Sequence, residues 1–421
     1  MKKITMRQAL ADLRDRFPEQ RRLYAPGCAG EAQIFVNAFQ ADPTLAENTT
    51  FAGVWIPGVN KIDYAALHPS SKAETIFLCQ ALRAGFNAGR TTLRPLPYTD
   101  AFPWLQKADF DAALIHVSPP DENGDCSLGV AADFTPAVWA RTDVLKIGLI
   151  NEEMPAIANC PKISLDAFNV VVEEPSPLLQ YPAPDTVTGT YEKIAANVAA
   201  AIPDGATVQL GLGSLQFAVL RALSGHRDLR IHSGMISDPL LDAVAAGAIA
   251  SERDAITIGV ALGSDKLYEF AANDGRLRFE PVSYTHNIQV LSQIPSFFAI
   301  NSIIEIDLFG QANAEYFNGN QASSTGGLVD FLRGAALSDG GMGIVALPST
   351  AKGGSISRIV PKLTAPTTSI ARADVSLVGT ENGVVDLRGA SLDERAEALI
   401  SIADPTHQAD LQNAWRQLRQ V

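Results

Sequence analysis

The chain has 421 residues, 47% hydrophobic and 19% charged, with a formal net charge of −13. Such a length favours two domains over a single core, and the composition is that of a folded chain and not a disordered one. The acidic balance excludes a nonspecific nucleic-acid footprint and attachment to an anionic membrane, both of which need a basic face. It leaves room for an anionic ligand held by backbone N–H groups and a few lysines. No run of 18 apolar residues is present, so no membrane span is expected. Cys28, Cys79, Cys126 and Cys160 lack CxxC or Cys/His metal spacing. They read as reduced thiols of a cytoplasmic protein, with no metal site. Arg7, Asp12 and Arg14 interrupt any apolar run that could make the N-terminus a signal peptide.

Thr5–Arg16 reads as an opening helix. Leu23–Ala25 is a brief strand running into Pro26-Gly27-Cys28-Ala29-Gly30, followed by a helix over Glu31–Ala41. Phe51–Ile56, Thr91–Pro95, Ala112–Val117, Val144–Ile150 and Val170–Val172 are predicted strands. Ala73–Ala84 and Thr135–Arg141 are predicted helices. This alternation favours a parallel, doubly wound sheet. Glu173–Asp185 carries four prolines in 13 residues and can be neither helix nor central strand. It is the best linker, dividing the chain into residues 1–182 and 183–421.

The second part restarts the pattern. A helix is expected over Thr186–Ala201, a strand at Val208–Leu210, a helix from Leu215 to about Ser224 and a strand at Leu229–His232. Further on come a helix at Pro239–Ala246 and strands at Ala255–Val260, Val282–Tyr284, Ser302–Leu308, Ile344–Leu347 and Val375–Val378. Ser391–Ile402 and His407–Arg419 are closing helices. Each part begins helix–strand–glycine turn–helix, which hints at duplicated α/β halves.

The stretch with most chemical content is Val208–Asp238. Gly211 and Gly213 form a Gly-x-Gly turn between a strand and a helix N-terminus. Free N–H groups there suit an anion or a developing oxyanion. Such turns are usually no more than tight turns, and the signal alone is weak. No Walker motif, complete GxGxxG (position 216 is Gln) or GxSxG elbow is present.

Several segments taken together carry more. Ser118-Pro119-Pro120-Asp121-Glu122-Asn123-Gly124-Asp125-Cys126-Ser127-Leu128-Gly129 is the most specific. With it go Ile202–Gly213, Asp307–Glu315, Gly326–Ala335, Ala346–Ala351, Ser357–Pro361 and Thr380–Gly389. In this order, from about residue 110 to 400, the chain resembles the acetyl-CoA hydrolase/transferase family. These are the class I CoA-transferases that include 4-hydroxybutyrate CoA-transferase and succinyl-CoA:acetate CoA-transferase.

The resemblance implies two similar open, mainly parallel α/β domains with the active site in the cleft between them, and a homodimer. It also implies coenzyme A and short carboxylates as substrates, with no metal or nucleotide cofactor. A glutamate in such enzymes attacks the acyl-CoA thioester, and a glutamyl-CoA thioester follows. Gly211, Leu212, Gly213, Ser214 and Leu215 match the loop that supplies oxyanion donors and touches CoA. Asn301, Gly326, Gly327 and Lys352 match further CoA contacts, although a turn cap, a plain loop and a solvated lysine are the ordinary readings. Glu381, in Thr380-Glu381-Asn382-Gly383, matches an active-site glutamate and could equally be a turn acid.

Two departures stand out. About nineteen residues after the loop, where the nucleophilic glutamate follows a His-Ser or Tyr-Thr pair, the sequence reads His232-Ser233-Gly234. Where an asparagine touching that glutamate is usual, Tyr284-Thr285 is followed by His286. A glycine forms no anhydride, so the vacated space could admit a water. Glu381 could then act as base with His286 assisting, or itself become the nucleophile. An isomerising or carbon–carbon step on an acyl-CoA, or CoA binding without catalysis, is the remaining alternative. Arg333, Arg358 and Arg388 could hold a second carboxylate, CoA phosphates or structural salt bridges.

Overall fold

The computed structural model describes residues 4–184 and 189–419. The chain forms two compact units, Met1–Pro182 with Thr257–Tyr284, and Ala183–Ile256 with Thr285–Val421. In the first, seven parallel strands lie in the order Thr91–Leu93, Lys72–Thr75, Thr49–Gly53, Arg21–Tyr24, Ala112–Val117, Leu145–Ile150, Val170–Glu173. Ala112–Val117 is buried at all six positions, as expected of a strand covered on both faces. Leu23, Phe51, Leu114, Ile147 and Leu149 form the centre of its core. The opening helix Met6–Arg16 starts with a capping box between Thr5 and Gln8.

In the second unit Arg230–Ile236, Thr207–Leu210, Phe297–Ser302, Met342–Ala346 and Leu377–Thr380 lie side by side and parallel. Gly383–Asp386 pairs antiparallel at the edge. The helices include Gly189–Ala199, Ser214–Ala222, Pro239–Ala245, Leu328–Leu337, Leu392–Ser401 and Pro405–Leu418. Phe297, Ile306, Phe331, Leu332, Val345 and Ile400 pack in the core. Both sheets begin at an interior strand, place the next strand on one side and later strands on the other. The reversal makes a switch point at the carboxyl end of Thr207–Leu210, where open α/β sheets hold ligands. The two mainly parallel α/β domains expected from the sequence are therefore present.

Several local expectations need correcting. Residues 73–84 are not a helix: Lys72–Thr75 is a strand paired on both sides, and only Arg83–Asn87 is helical. Pairing overrides the helix preference of the alanines. Val282–Thr285 is a one-turn helix and not a strand. Residues 302–308 divide into the end of Phe297–Ser302 and a separate short strand, Glu305–Asp307. The helix expected over Thr135–Arg141 shrinks to Pro136–Trp139, and Tyr98–Lys107 is a helix that periodicity did not flag. Arg230–Ile236 runs four residues past the expected strand end, so His232-Ser233-Gly234 lies inside a strand. The predicted helix start at residues 186–188 and the last linker residue, Asp185, lie outside the described residues.

Candidate active site

The Gly-x-Gly turn is built at the switch point. Strand Thr207–Leu210 is wholly buried and ends at half-exposed Gly211. The Gly211 N–H donates to Gln216 Oε1 at 3.2 Å, and Gln216 Nε2 donates to Ser302 Oγ at 2.9 Å. These two bonds tie the turn to its neighbouring strand. Gly213 has φ +112°, which an L side chain rarely adopts, and it precedes the helix Ser214–Ala222. The first intrahelical bond is from the Phe217 N–H to the Gly213 carbonyl. The N–H groups of Ser214, Leu215 and Gln216 therefore precede the helical ladder, at the positive end of the helix dipole. No side chain caps this terminus. Ser214 is exposed and Leu215 buried.

The next strand brings His232, Ser233 and Gly234 alongside. The two polar side chains are committed to the backbone: His232 Nε2 donates to the Thr285 carbonyl at 3.0 Å, and Ser233 Oγ donates to the Leu210 carbonyl at 2.8 Å. Neither is placed as a nucleophile. Gly234 does not have the positive φ that would require glycine. What excludes a side chain there is space: a β-carbon on Gly234 would stand 2.9 Å from His286 Cε1 and 3.2 Å from His286 Nε2. A β-carbon on Gly327, which precedes helix Leu328–Leu337, would run into the same imidazole. The imidazole of His286 thus fills the space beside Gly234, where the sequence reading expected room for a water.

His286 is held on several sides. Its Nδ1 is 2.9 Å from Thr285 Oγ1, and its ring lies against Phe331 with centroids 4.3 Å apart. The side chain is 2% exposed. Burial, helped by nearby His232, holds its pKa well below the usual imidazole value, so the ring is neutral at physiological pH.

The remaining residues singled out from sequence lie on several elements. Asn301 is buried, with Nδ2 donating to Gln209 Oε1 at 2.9 Å. Gly326 has φ +54° and sits in the turn before Gly327. Exposed Lys352 lines a cavity of about 260 Å³ with Arg358, Glu305, Tyr316 and Phe317. Glu305 is already satisfied by Thr364, Ala365 and Asn313. No carboxylate pairs with Lys352 or Arg358 among the described residues. Arg333 and Arg388, by contrast, are bound to Asp374 and Asp386. Of the three arginines singled out from sequence, Arg358 lines this cavity.

Glu381 is held by a single residue, Ser349. Its two carboxylate oxygens accept from the Ser349 backbone N–H at 2.8 Å and the Ser349 hydroxyl at 2.7 Å. It follows strand Leu377–Thr380, four strands across from Arg230–Ile236, or about 19 Å at ~4.8 Å per strand. The structure brings Gly234, Gly327 and His286 together and leaves Glu381 on a separate support. Phe331, Thr285 and Gln216 stand within or beside the segments noted in sequence but were not singled out as site residues; they orient His286 and the glycine turn. No group of His, Cys, Asp and Glu able to hold a metal ion, and no helix long and apolar enough to cross a membrane, occurs among the described residues.

Comparison with known proteins matches the chain to a family. The sequence model described as the acetyl-CoA hydrolase/transferase N-terminal domain matches residues 5–179, and that of the C-terminal domain matches residues 263–415. Over 351 residues the chain is 38% identical to 4-hydroxybutyrate coenzyme A transferase of Clostridium kluyveri, covering 81% of each protein. Among solved structures, RipA from Yersinia pestis superposes with a TM-score of 0.90 at 28% identity, covering 100% of this chain and 98% of that one. A 4-hydroxybutyrate CoA-transferase from Porphyromonas gingivalis gives a TM-score of 0.78 at 30% identity, covering 98% and 97%.

Proposed function

The chain belongs to the acetyl-CoA hydrolase/transferase family, and on that premise we propose that it cleaves short-chain acyl-CoA thioesters with water as the acyl acceptor. Coenzyme A enters as part of the substrate. The observation that carries the proposal is the pairing of Gly234 with His286. The position that resemblance assigns to the nucleophilic glutamate has no side chain, and a neutral imidazole occupies the space beside it. The anhydride and glutamyl-CoA steps cannot form at a glycine.

The remaining machinery fits thioester cleavage. Attack on the thioester carbonyl places negative charge on its oxygen. The Ser214 and Leu215 N–H groups, at the start of helix Ser214–Ala222, are suited to receive it. Lys352 and Arg358 are suited to the phosphates of CoA. The relative's name, 4-hydroxybutyrate coenzyme A transferase, points to a short acyl group. The same reading includes a cytoplasmic homodimer.

Thiol release from acetyl-, butyryl- and 4-hydroxybutyryl-CoA, with and without a carboxylate acceptor, tests the proposal. Release that needs no acceptor supports it. CoA exchange between carboxylates without net hydrolysis would replace it with transfer. The second reading, a CoA-binding protein without catalysis, is favoured by the burial of His286. It predicts tight acyl-CoA binding and neither activity.

A further inference from the structure

Two short hairpins of the second unit contribute to the cavity of about 260 Å³ that Lys352 and Arg358 line. In the first, Tyr316–Phe317 pairs antiparallel with Asn320–Gln321. Asn318 and Gly319 join them at φ +50° and +76°, the pair of left-handed residues that makes an Asn-Gly hairpin turn tight. Asn313 pins its base, accepting the Tyr316 N–H at 2.9 Å and donating to the Tyr316 carbonyl at 2.8 Å. In the second, Thr350–Ala351 pairs antiparallel with Ile356–Ser357. His407 Nε2 donates to the Gly354 carbonyl of its turn at 2.8 Å. Lys352 opens that turn at φ +49°, a conformation that lysine rarely adopts.

These fixed supports present apolar side chains to solvent. Phe317 is 49% exposed and Ile356 44%. They are two of the five exposed large apolar side chains among the described residues, and both line this one cavity. Leaving such surface in water on a rigid hairpin is unfavourable unless a ligand covers it. The charges beside it are cationic, because the Glu305 carboxylate is already taken by Thr364, Ala365 and Asn313. An apolar slot next to a lysine and an arginine matches a flat base joined to phosphates. The location agrees. Residues 304–305 and 351–352 follow the carboxyl ends of Phe297–Ser302 and Met342–Ala346, the next two strands in the sheet after Thr207–Leu210. The cavity therefore lies at the same end of the sheet as the Gly211–Gly213 turn.

We infer that the hairpin residue Phe317 is a base-stacking platform: the adenine of the acyl-CoA lies on its ring with Ile356 beside it, while Lys352 and Arg358 hold phosphate oxygens. The inference rests on the acyl-CoA reading above and adds to it a residue that recognises the nucleotide end of the substrate and takes no part in the chemistry. Stacking needs only a π-face, so the hairpin contributes affinity for the whole of CoA and none for a pantetheine thioester, which has no base.

The test measures, by calorimetry, the affinity of wild type, Phe317→Ala, Phe317→Leu and Phe317→Trp for CoA, adenosine 3′,5′-bisphosphate and pantetheine. Wild type should bind the bisphosphate in competition with CoA. Phe317→Ala and Phe317→Leu should weaken CoA and the bisphosphate by about 5- to 150-fold, the usual worth of one base–aromatic stack, and leave pantetheine unchanged. Phe317→Trp should keep the affinity. Its added indole should be quenched by the bisphosphate beyond any change shown by the chain's own four tryptophans, which a merely structural aromatic would not give. Unchanged CoA affinity in Phe317→Ala overturns the inference, as does an equal loss for pantetheine, the sign of a disturbed fold. Phe317→Ala that alters self-association and not CoA affinity also overturns it, in favour of a contact between copies. Wild type that binds CoA but not the bisphosphate overturns the nucleotide seat and leaves the acyl-CoA reading standing. Wild type that binds the bisphosphate but neither CoA nor acyl-CoA would overturn that reading while keeping the platform.

Discussion

Gly234 and His286, 52 positions apart in sequence, compete for one volume: a β-carbon on the glycine would lie 2.9 Å from Cε1 of the histidine. A side chain at 234 therefore needs the imidazole to move from where it is held.

This coupling makes a double-mutant prediction. Gly234→Ala should cost about 1–3 kcal/mol, the usual range for inserting a carbon into a filled core, and most of that cost should vanish in a His286→Ala background. Denaturant melts of the four proteins measure it. Equal costs in both backgrounds would mean that the ring yields freely.

The same relationship governs attempts to install a transferase. Gly234→Glu alone should destabilise the protein and give no CoA exchange, because the side chain has no room. Gly234→Glu combined with His286→Asn supplies both residues that the family resemblance sets at these positions. It should exchange CoA between butyrate and acetyl-CoA. An active single variant would contradict the steric account.

Glu381 gives a stability prediction. Ser349 is fully buried and supplies both donors to its carboxylate. Ser349→Ala removes the hydroxyl bond and should cost about 1.5–3 kcal/mol, as for a hydrogen bond to a charged group. Acyl-CoA affinity should be unchanged. A loss of affinity without loss of stability would return Glu381 to the reacting centre.

Lys352→Ala and Arg358→Ala should each weaken CoA binding by about fivefold, since one exposed charge contact is worth on the order of 1 kcal/mol. The loss should shrink as salt rises, and a phosphate-free pantetheine thioester should be insensitive to both changes. Isothermal titration at two ionic strengths reads the effect.

His116 predicts a pH dependence. It is buried in strand Ala112–Val117 with Nε2 2.9 Å from Asn151 Nδ2, a donor, so Nε2 accepts and the ring is neutral. Burial pushes its pKa down to about 4. The unfolded chain, with an imidazole pKa near ~6.5, binds more protons than the folded one between those values. His116 therefore makes stability fall as pH drops through that window. Unfolding free energies at several pH values should show a shallower acid loss in His116→Gln. An unchanged slope would mean that His116 protonates without resistance.

Much of the frame was legible in sequence. The alternation of apolar runs with helical stretches specified two α/β halves. The Gly211/Gly213 turn stands at a strand-to-helix junction, as its residues require. Counting along the family segments singled out Gly234 and His286 as departures. What could not be read was that one fills the space beside the other, because spatial complementarity across 52 positions leaves no local pattern. The same limit explains Glu381: a turn acid before Gly383 is visible in sequence, but its bond to Ser349 joins separate elements. Val282–Thr285 was missed as a helix because Val and Tyr favour strands, while Pro281, whose carbonyl accepts from the Tyr284 N–H, starts a tight turn there.

The central claim, that water and not a carboxylate takes the acyl group, is tested most directly by isotope incorporation. Butyryl-CoA is turned over in ¹⁸O-labelled water with unlabelled acetate present. The account predicts butyrate carrying one label for each CoA thiol released, and no acetyl-CoA formed. Unlabelled butyrate appearing with an equal amount of acetyl-CoA would contradict it.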